Sequence, residues 1–141
     1  MTLVLVGAFF MVLMIISLHV ILDFICALCC LFPHYFAWPY AATLYVSIFR
    51  ETLNNENAAL SRALVYWAAA MSLVRLLALV FLSFDLFAAV VLMYVLEGLV
   101  AEYEGFTAGT IKHRTARLIS LFSFGIALVI TVLLCSNPLY L

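Results

Sequence analysis

The sequence predicts an all-α integral membrane protein, a single bundle of four transmembrane helices. Of its 141 residues, 70% are hydrophobic and 9% are charged, whereas a soluble domain is roughly half apolar. The hydrophobic residues form long runs of the length that crosses a bilayer core, about 20 residues per helix. Short polar segments separate these runs. We expect the spans at 3–32, 63–83, 86–104 and 118–135, all within one membrane domain that covers residues 1–141.

Composition also limits the classes of function. The formal net charge is −1, so the chain has no basic field for nucleic acid. The loops are too short for a soluble catalytic domain, and no nucleophile–base pair, phosphate loop or metal-ligand set is recognisable. We therefore expect no catalytic residues, no cofactor and no bound metal. Membrane lipids and other integral membrane proteins are the expected partners.

The first span begins an apolar run in which Leu3 to Leu22 already suffices to cross, and we interpret it as an uncleaved span. His19 and Asp23 are four residues apart and therefore share one helix face. They can hydrogen-bond each other or a neighbouring helix. A contact that fixes helix packing is the favoured interpretation, and a proton relay or ligand site is the alternative.

The same apolar run contains three of the four cysteines. Cys26 and Cys29 have the C-x-x-C spacing of a redox or metal motif. In an apolar helix, however, free cysteine usually behaves as a small hydrophobic residue. We therefore predict neither zinc nor haem here.

A short interfacial segment is expected after the first span. Residues 33–40 (PHYFAWPY) contain two prolines and several aromatic residues. Tyrosine and tryptophan concentrate at membrane–water boundaries because one end of each side chain is apolar and the other is polar. Residues 50–61 follow as the most hydrated loop, and Ser61 is the predicted N-cap of the second span.

The second and third spans form a hairpin around Ser83 to Asp85, and each carries a charge. Arg75 lies inside one apolar run and Glu97 inside the other. A charge at bilayer depth costs roughly 2.5 to 3.5 kcal/mol, so it normally faces the bundle interior and has a partner. Their distances from the turn place them at similar depths, and they are the expected ion pair. We favour a structural role for the pair over transport or catalysis.

The third span is expected to fade between Glu102 and Thr107, and a basic loop precedes the fourth span. Lys112, Arg114 and Arg117 lie in this loop. By the positive-inside rule, the loops after spans one and three face the cytoplasm or the mitochondrial matrix. The three cations are predicted to fix this topology, and binding of an anionic lipid headgroup is the alternative.

Four residues of the hairpin have a distinctive spacing. Arg62 lies five residues before Trp67, and Arg75 lies eight residues after it. Glu102 follows near the end of the next span, and residues 107–110 (TAGT) are rich in glycine and threonine. This pattern resembles the ergosterol biosynthetic protein 28 family, which comprises scaffolds of sterol C-4 demethylation, and the resemblance covers about half of the chain. It implies a non-catalytic membrane protein that tethers sterol-modifying enzymes in the endoplasmic reticulum.

Three functions are therefore expected, in order of preference. The first is a scaffold or accessory subunit of a larger membrane complex. Its setting is the sterol-enzyme assembly or, alternatively, a respiratory or ATP-synthase complex of the mitochondrial inner membrane. The second is a small transporter or channel with Arg75 and Glu97 in a polar path. The third is a membrane enzyme or lipid-binding module at the basic loop.

Overall fold

The computed structural model describes residues 2–31, 58–109 and 112–136, and all of the secondary structure in these ranges is helical. The prediction of an all-α fold is thus confirmed. Four α-helices are present in the described ranges, and a π-helical turn at Tyr103–Thr107 continues the third of them: α1 (Thr2–Leu31), α2 (Ala58–Phe81), α3 (Phe84–Glu102) and α4 (His113–Ser136).

Three of the described segments are long and apolar enough to cross a membrane. They are Val6–Ile25, Phe84–Thr107 and His113–Ser136. In α2, the side chains are described from Tyr66 onward, and the apolar segment Tyr66–Phe81 is shorter than that. Large hydrophobic side chains are exposed on every helix, as expected of surfaces that face lipid or partner helices rather than water. The chain is an integral membrane protein.

Two local predictions were wrong. Helix α2 begins at Ala58, so Ser61 lies inside the helix rather than at its N-cap. Helix α4 begins at His113, ahead of the predicted span at 118–135, so Arg114 and Arg117 belong to its first turns and not to a loop. Basic residues are good helix formers, and the limits of an apolar run therefore do not mark the limits of its helix. The interfacial segment at 33–40 lies outside the described residues.

The third helix changes its form in the stretch where its span is predicted to fade. The chain remains helical past Glu102 through a π-helical turn, in which the amide of Ala108 donates to the carbonyl of Tyr103 at 3.0 Å. The wider turn places Gly105 against α4. Single π-helical turns of this kind are uncommon inside proteins.

A two-residue connection joins α2 to α3. Leu82 has a φ of 47°, in the left-handed region that costs a residue with a Cβ roughly 1 to 2 kcal/mol. Ser83 is extended and caps α3, because its Oγ accepts from the Leu86 amide at 3.4 Å. The tight connection makes α2 and α3 antiparallel neighbours.

Ring contacts and close packing fix the direction of the other helices. Phe9 packs on Phe87 near the start of α3, and His19 packs on Tyr94 further along it, so α1 runs parallel to α3. Helix α4 runs antiparallel to α3, because Gly98 faces Phe124 whereas the later Gly105 faces the earlier Ala116. The bundle is therefore up–down–up–down. Its apolar core lies between α1, α3 and α4, with a contribution from α2: Val12, Ile16, Ala78, Phe87, Val90, Tyr94, Ile126, Ala127, Ile130 and Leu134.

Two glycines let α3 approach α4 closely. A Cβ on Gly98 would lie 2.8 Å from the Phe124 ring. A Cβ on Gly105 would overlap the Cβ of Ala116. Helices pack this tightly in membranes where small residues line the contact. The α3–α4 pair thus forms one closely packed layer beside the cluster described next.

Candidate functional site

Arg75 is the centre of the polar site and the largest fully buried side chain among the described residues. Only 1% of its side chain is exposed. Its Nη1 donates to the Asp23 carboxylate of α1 at 2.5 Å, and its Nη2 donates to the Glu97 carboxylate of α3. One guanidinium from α2 therefore joins two other helices. The planar fork of arginine suits it to two carboxylates at once.

Helical periodicity explains why Arg75 points inward. Ala68, Met71, Arg75 and Ala78 are all buried, and their spacing of three and four residues defines one face of α2. The small side chain of Ala78, one turn after Arg75, leaves room for the guanidinium between the helices. Ser72, on the same side, donates to the carbonyl of Val20 at 3.4 Å. This face is thus both the polar face and the packing face of α2.

A tyrosine and a histidine extend the cluster. The Arg75 guanidinium carbon lies 4.7 Å from the centre of the Tyr94 ring, within the range of a cation–π contact. The Tyr94 hydroxyl lies 2.9 Å from Nδ1 of His19, and the His19 ring packs at 5.5 Å against Phe122 of α4. All four helices consequently contribute to the cluster or to its wall.

The burial of the cluster is uneven. The Asp23 and Glu97 side chains are 25% and 22% exposed, whereas Arg75 is almost fully enclosed. Nε of Arg75 is buried without a hydrogen-bond acceptor in the described part of the chain. The carboxylates therefore form the outer edge of the cluster, and the guanidinium forms its centre.

A second polar contact joins α3 to α4. Ser120 is buried and donates its hydroxyl to the Glu102 carboxylate. Glu102 is thus engaged within the chain at a separate contact, and Arg75 pairs with Glu97 and Asp23 instead. Both of the glutamates singled out from the sequence face other helices of the bundle.

The basic residues at the start of α4 lie at the surface. Lys112, Arg114 and Arg117 are exposed. The Arg117 guanidinium carbon lies 5.7 Å from the centre of the Phe106 ring, and His113 packs on the same ring at 5.1 Å. The cations and one aromatic ring thus form a compact polar end of the bundle.

Some of the site residues predicted from the sequence do not lie in the central cluster. Trp67 is 49% exposed on the outside of α2, and Cys135 is exposed near the end of α4. The side chains of Arg62, Cys26 and Cys29 lie outside the described residues. His19 and Asp23 contact different neighbouring helices rather than each other.

Two members of the site were missed in the sequence. Tyr94 and Ser120 look like ordinary residues of an apolar run, since neither carries a charge that stands out there. The position of Tyr94, three residues before Glu97 on α3, was a usable signal, because residues at this spacing share a helix face. Ser120 offered no such signal.

The chemistry that the cluster supports is ionic and hydrogen-bonding. Within residues 2–31, 58–109 and 112–136, no three histidine, cysteine, aspartate or glutamate side chains are placed to hold a metal ion. The central group is a permanently charged guanidinium, which neither accepts a proton nor acts as a nucleophile. Helix association is the direct consequence of the arrangement.

Comparisons with known proteins add no assignment: no family model, curated protein or solved structure matches the sequence.

Proposed function

We propose that the protein is a non-catalytic scaffold or accessory subunit of a larger membrane complex, with four transmembrane helices. The observation that carries this proposal is the use of Arg75. Its guanidinium is enclosed and bonded to α1 and α3, which suits a group that holds helices in register. A residue that lines a water-filled path would need contact with water along that path.

In this proposal, α2 is the fourth transmembrane helix. This helix has 24 residues, which corresponds to about 36 Å at 1.5 Å per residue, against a hydrocarbon core of about 30 Å. It contacts α1 through Ser72 and Arg75 and returns through a two-residue connection into α3, which is long and apolar enough to span. Arg75 does not prevent insertion of α2 because two carboxylates accompany it into the bundle.

The outer surface supports a role in assembly. Next to Trp67, the small residues Ala69 and Ala70 are exposed on α2. A backbone flanked by alanines can be approached closely by a second helix, and such surfaces are typical of helix–helix interfaces in membranes. Tryptophan adds a large, rigid contact area with one polar atom. A partner helix is the proposed occupant of this surface.

Two settings are proposed for the complex. The resemblance to the ergosterol biosynthetic protein 28 family favours a scaffold of sterol C-4 demethylation enzymes in the endoplasmic reticulum. A supernumerary subunit of a respiratory or ATP-synthase complex in the mitochondrial inner membrane is the other setting. Such subunits consist mostly of spans, as this chain does.

A second candidate function is a small transporter or channel. The partial exposure of the Asp23 and Glu97 side chains favours it, because it allows contact between the cluster and the outside of the described bundle. In that case the carboxylates, rather than Arg75, would meet the transported species.

Substitution of Arg75 by leucine separates the two functions. For a scaffold, Arg75→Leu lowers the yield of assembled complex because α1 and α3 lose their common partner. The measurement is the amount of partner chains recovered with the tagged protein from native membranes, normalised to the tagged chain. Leu128→Ala, at an exposed position on α4, is the control and retains assembly. If Arg75→Leu retained full assembly but abolished ion or solute flux in vesicles, the scaffold proposal would be wrong.

A further inference from the structure

The central cluster contains more acid than base. Asp23 and Glu97 both bind the single guanidinium of Arg75. With both carboxyl groups ionised, two negative charges face one positive charge, which leaves one negative charge uncompensated. Because both acids bind the same fork, their carboxylates lie close together and repel each other.

The other described groups around the cluster do not balance this charge. His19 of α1 and Tyr94 of α3 face it, and α4 contributes the apolar ring of Phe122. A positive charge on His19 would lie beside the guanidinium that stacks on Tyr94 and would be repelled by it. Tyrosine is neutral near pH 7. Among the described residues, the two carboxyl groups are therefore the groups at which this charge can be compensated.

We propose that the cluster binds one exchangeable proton, held by the Asp23–Glu97 carboxyl pair, at neutral pH. A lone pair of one carboxylate oxygen takes a proton from the aqueous phase and an O–H bond forms. The net charge of the cluster then changes from −1 to zero. An uncompensated charge in a low-dielectric interior is normally removed in this way. Two acids that share a site commonly hold one proton between them.

The two carboxyl groups, rather than Arg75, are the members of the cluster that can be reached from outside the described bundle. The Asp23 and Glu97 side chains are 25% and 22% exposed, at the edge of the cluster, whereas Arg75 behind them is enclosed. The protonated acid still accepts from Arg75 through its carbonyl oxygen. The junction of α1, α2 and α3 is therefore linked to protonation, and this property does not depend on the proposed scaffold role.

Infrared spectroscopy of the purified full chain in lipid nanodiscs tests the proposal. At neutral pH, we expect the carbonyl band of one protonated carboxylic acid per chain, which shifts in D₂O and disappears as the pH is raised. Glu97→Gln and Asp23→Asn each leave one acid against one base, so each should remove the band. Arg75→Gln removes the base and should double the band. Asp85→Asn, at an exposed position at the start of α3, is the control and should leave the band unchanged.

Several outcomes would overturn the proposal. Absence of the band from the wild-type protein would overturn it. This result does not depend on whether the variants fold. A wild-type band that persists in both Glu97→Gln and Asp23→Asn would place the proton elsewhere. The last experiment compares the carboxylic acid band in sodium chloride with the same band in choline chloride. A band that appears only in choline would mean that sodium, rather than a proton, neutralises the cluster.

Discussion

Arg75 is the residue on which three helices converge. It was identifiable in the sequence because a charge inside an apolar run must have a partner at bilayer depth. Glu97 was the expected partner, since both residues flank one short turn. The contact with Asp23 was not predictable, because residues 32–57 separate α1 from α2 and a connection of that length fixes no register. The sequence thus predicts that a polar site exists, but it identifies only some of the residues that form this site.

Tyr94 provides a test at the scale of one hydroxyl group. Tyr94→Phe retains the ring under Arg75 but removes the 2.9 Å contact with His19. Hydrogen bonds between membrane helices contribute about 0.6 kcal/mol on average and about 1.7 at most. We expect a loss of this size in the free energy of unfolding, measured by denaturant titration in bicelles. Tyr66→Phe, at an exposed position, is the matched control. Equal effects of the two variants would show that the Tyr94–His19 contact contributes no stability.

At the scale of the elements, the sequence predicted the existence of the helices better than their ends. Hydropathy located each apolar run, but α2 begins before its run and α4 begins with basic residues. The π-helical turn after Glu102 was not predictable, because hydropathy does not distinguish it from α-helix. Nor does the sequence show that Gly98 and Gly105 contact α4 whereas Gly125 faces open space.

The glycines of α3 and α4 make a matched pair of substitutions. Gly105→Ala should destabilise the bundle, by about 1 to 3 kcal/mol for an overpacked contact, because the new Cβ would overlap Ala116. Gly125→Ala meets no atom within 4 Å and should be neutral or stabilising by roughly 0.5 to 1 kcal/mol, because alanine favours helix. Thermal unfolding in detergent compares the two variants. Equal changes in both would contradict the close packing of α3 on α4.

At the scale of the whole molecule, the topology depends on α2. Composition alone predicted a membrane protein, because 70% hydrophobic residues cannot be covered in water. If α2 spans together with α1, α3 and α4, the two ends of the described chain lie on the same side of the membrane. The basic residues at the start of α4 then lie on the other side.

Cysteine labelling in sealed vesicles tests this transmembrane topology. Cys135 is exposed near the end of α4, and an impermeant maleimide should reach it from the same side as a tag before α1. Cysteine introduced at Lys112, in a background without other cysteines, should react only from the opposite side. A tag and Cys135 on opposite sides would mean that α2 does not cross.

The composition of the particle that carries this protein in its native membrane is the most direct test of the proposed function. The C-terminally tagged chain is solubilised in a mild detergent and purified, and its native mass and subunits are determined by mass spectrometry. A scaffold or accessory subunit predicts other integral membrane proteins in fixed stoichiometry with the 15.7 kDa chain. Sterol C-4 demethylation enzymes or respiratory subunits would identify the setting. Recovery of a monomer or a homo-oligomer alone would contradict the scaffold role and favour the transporter.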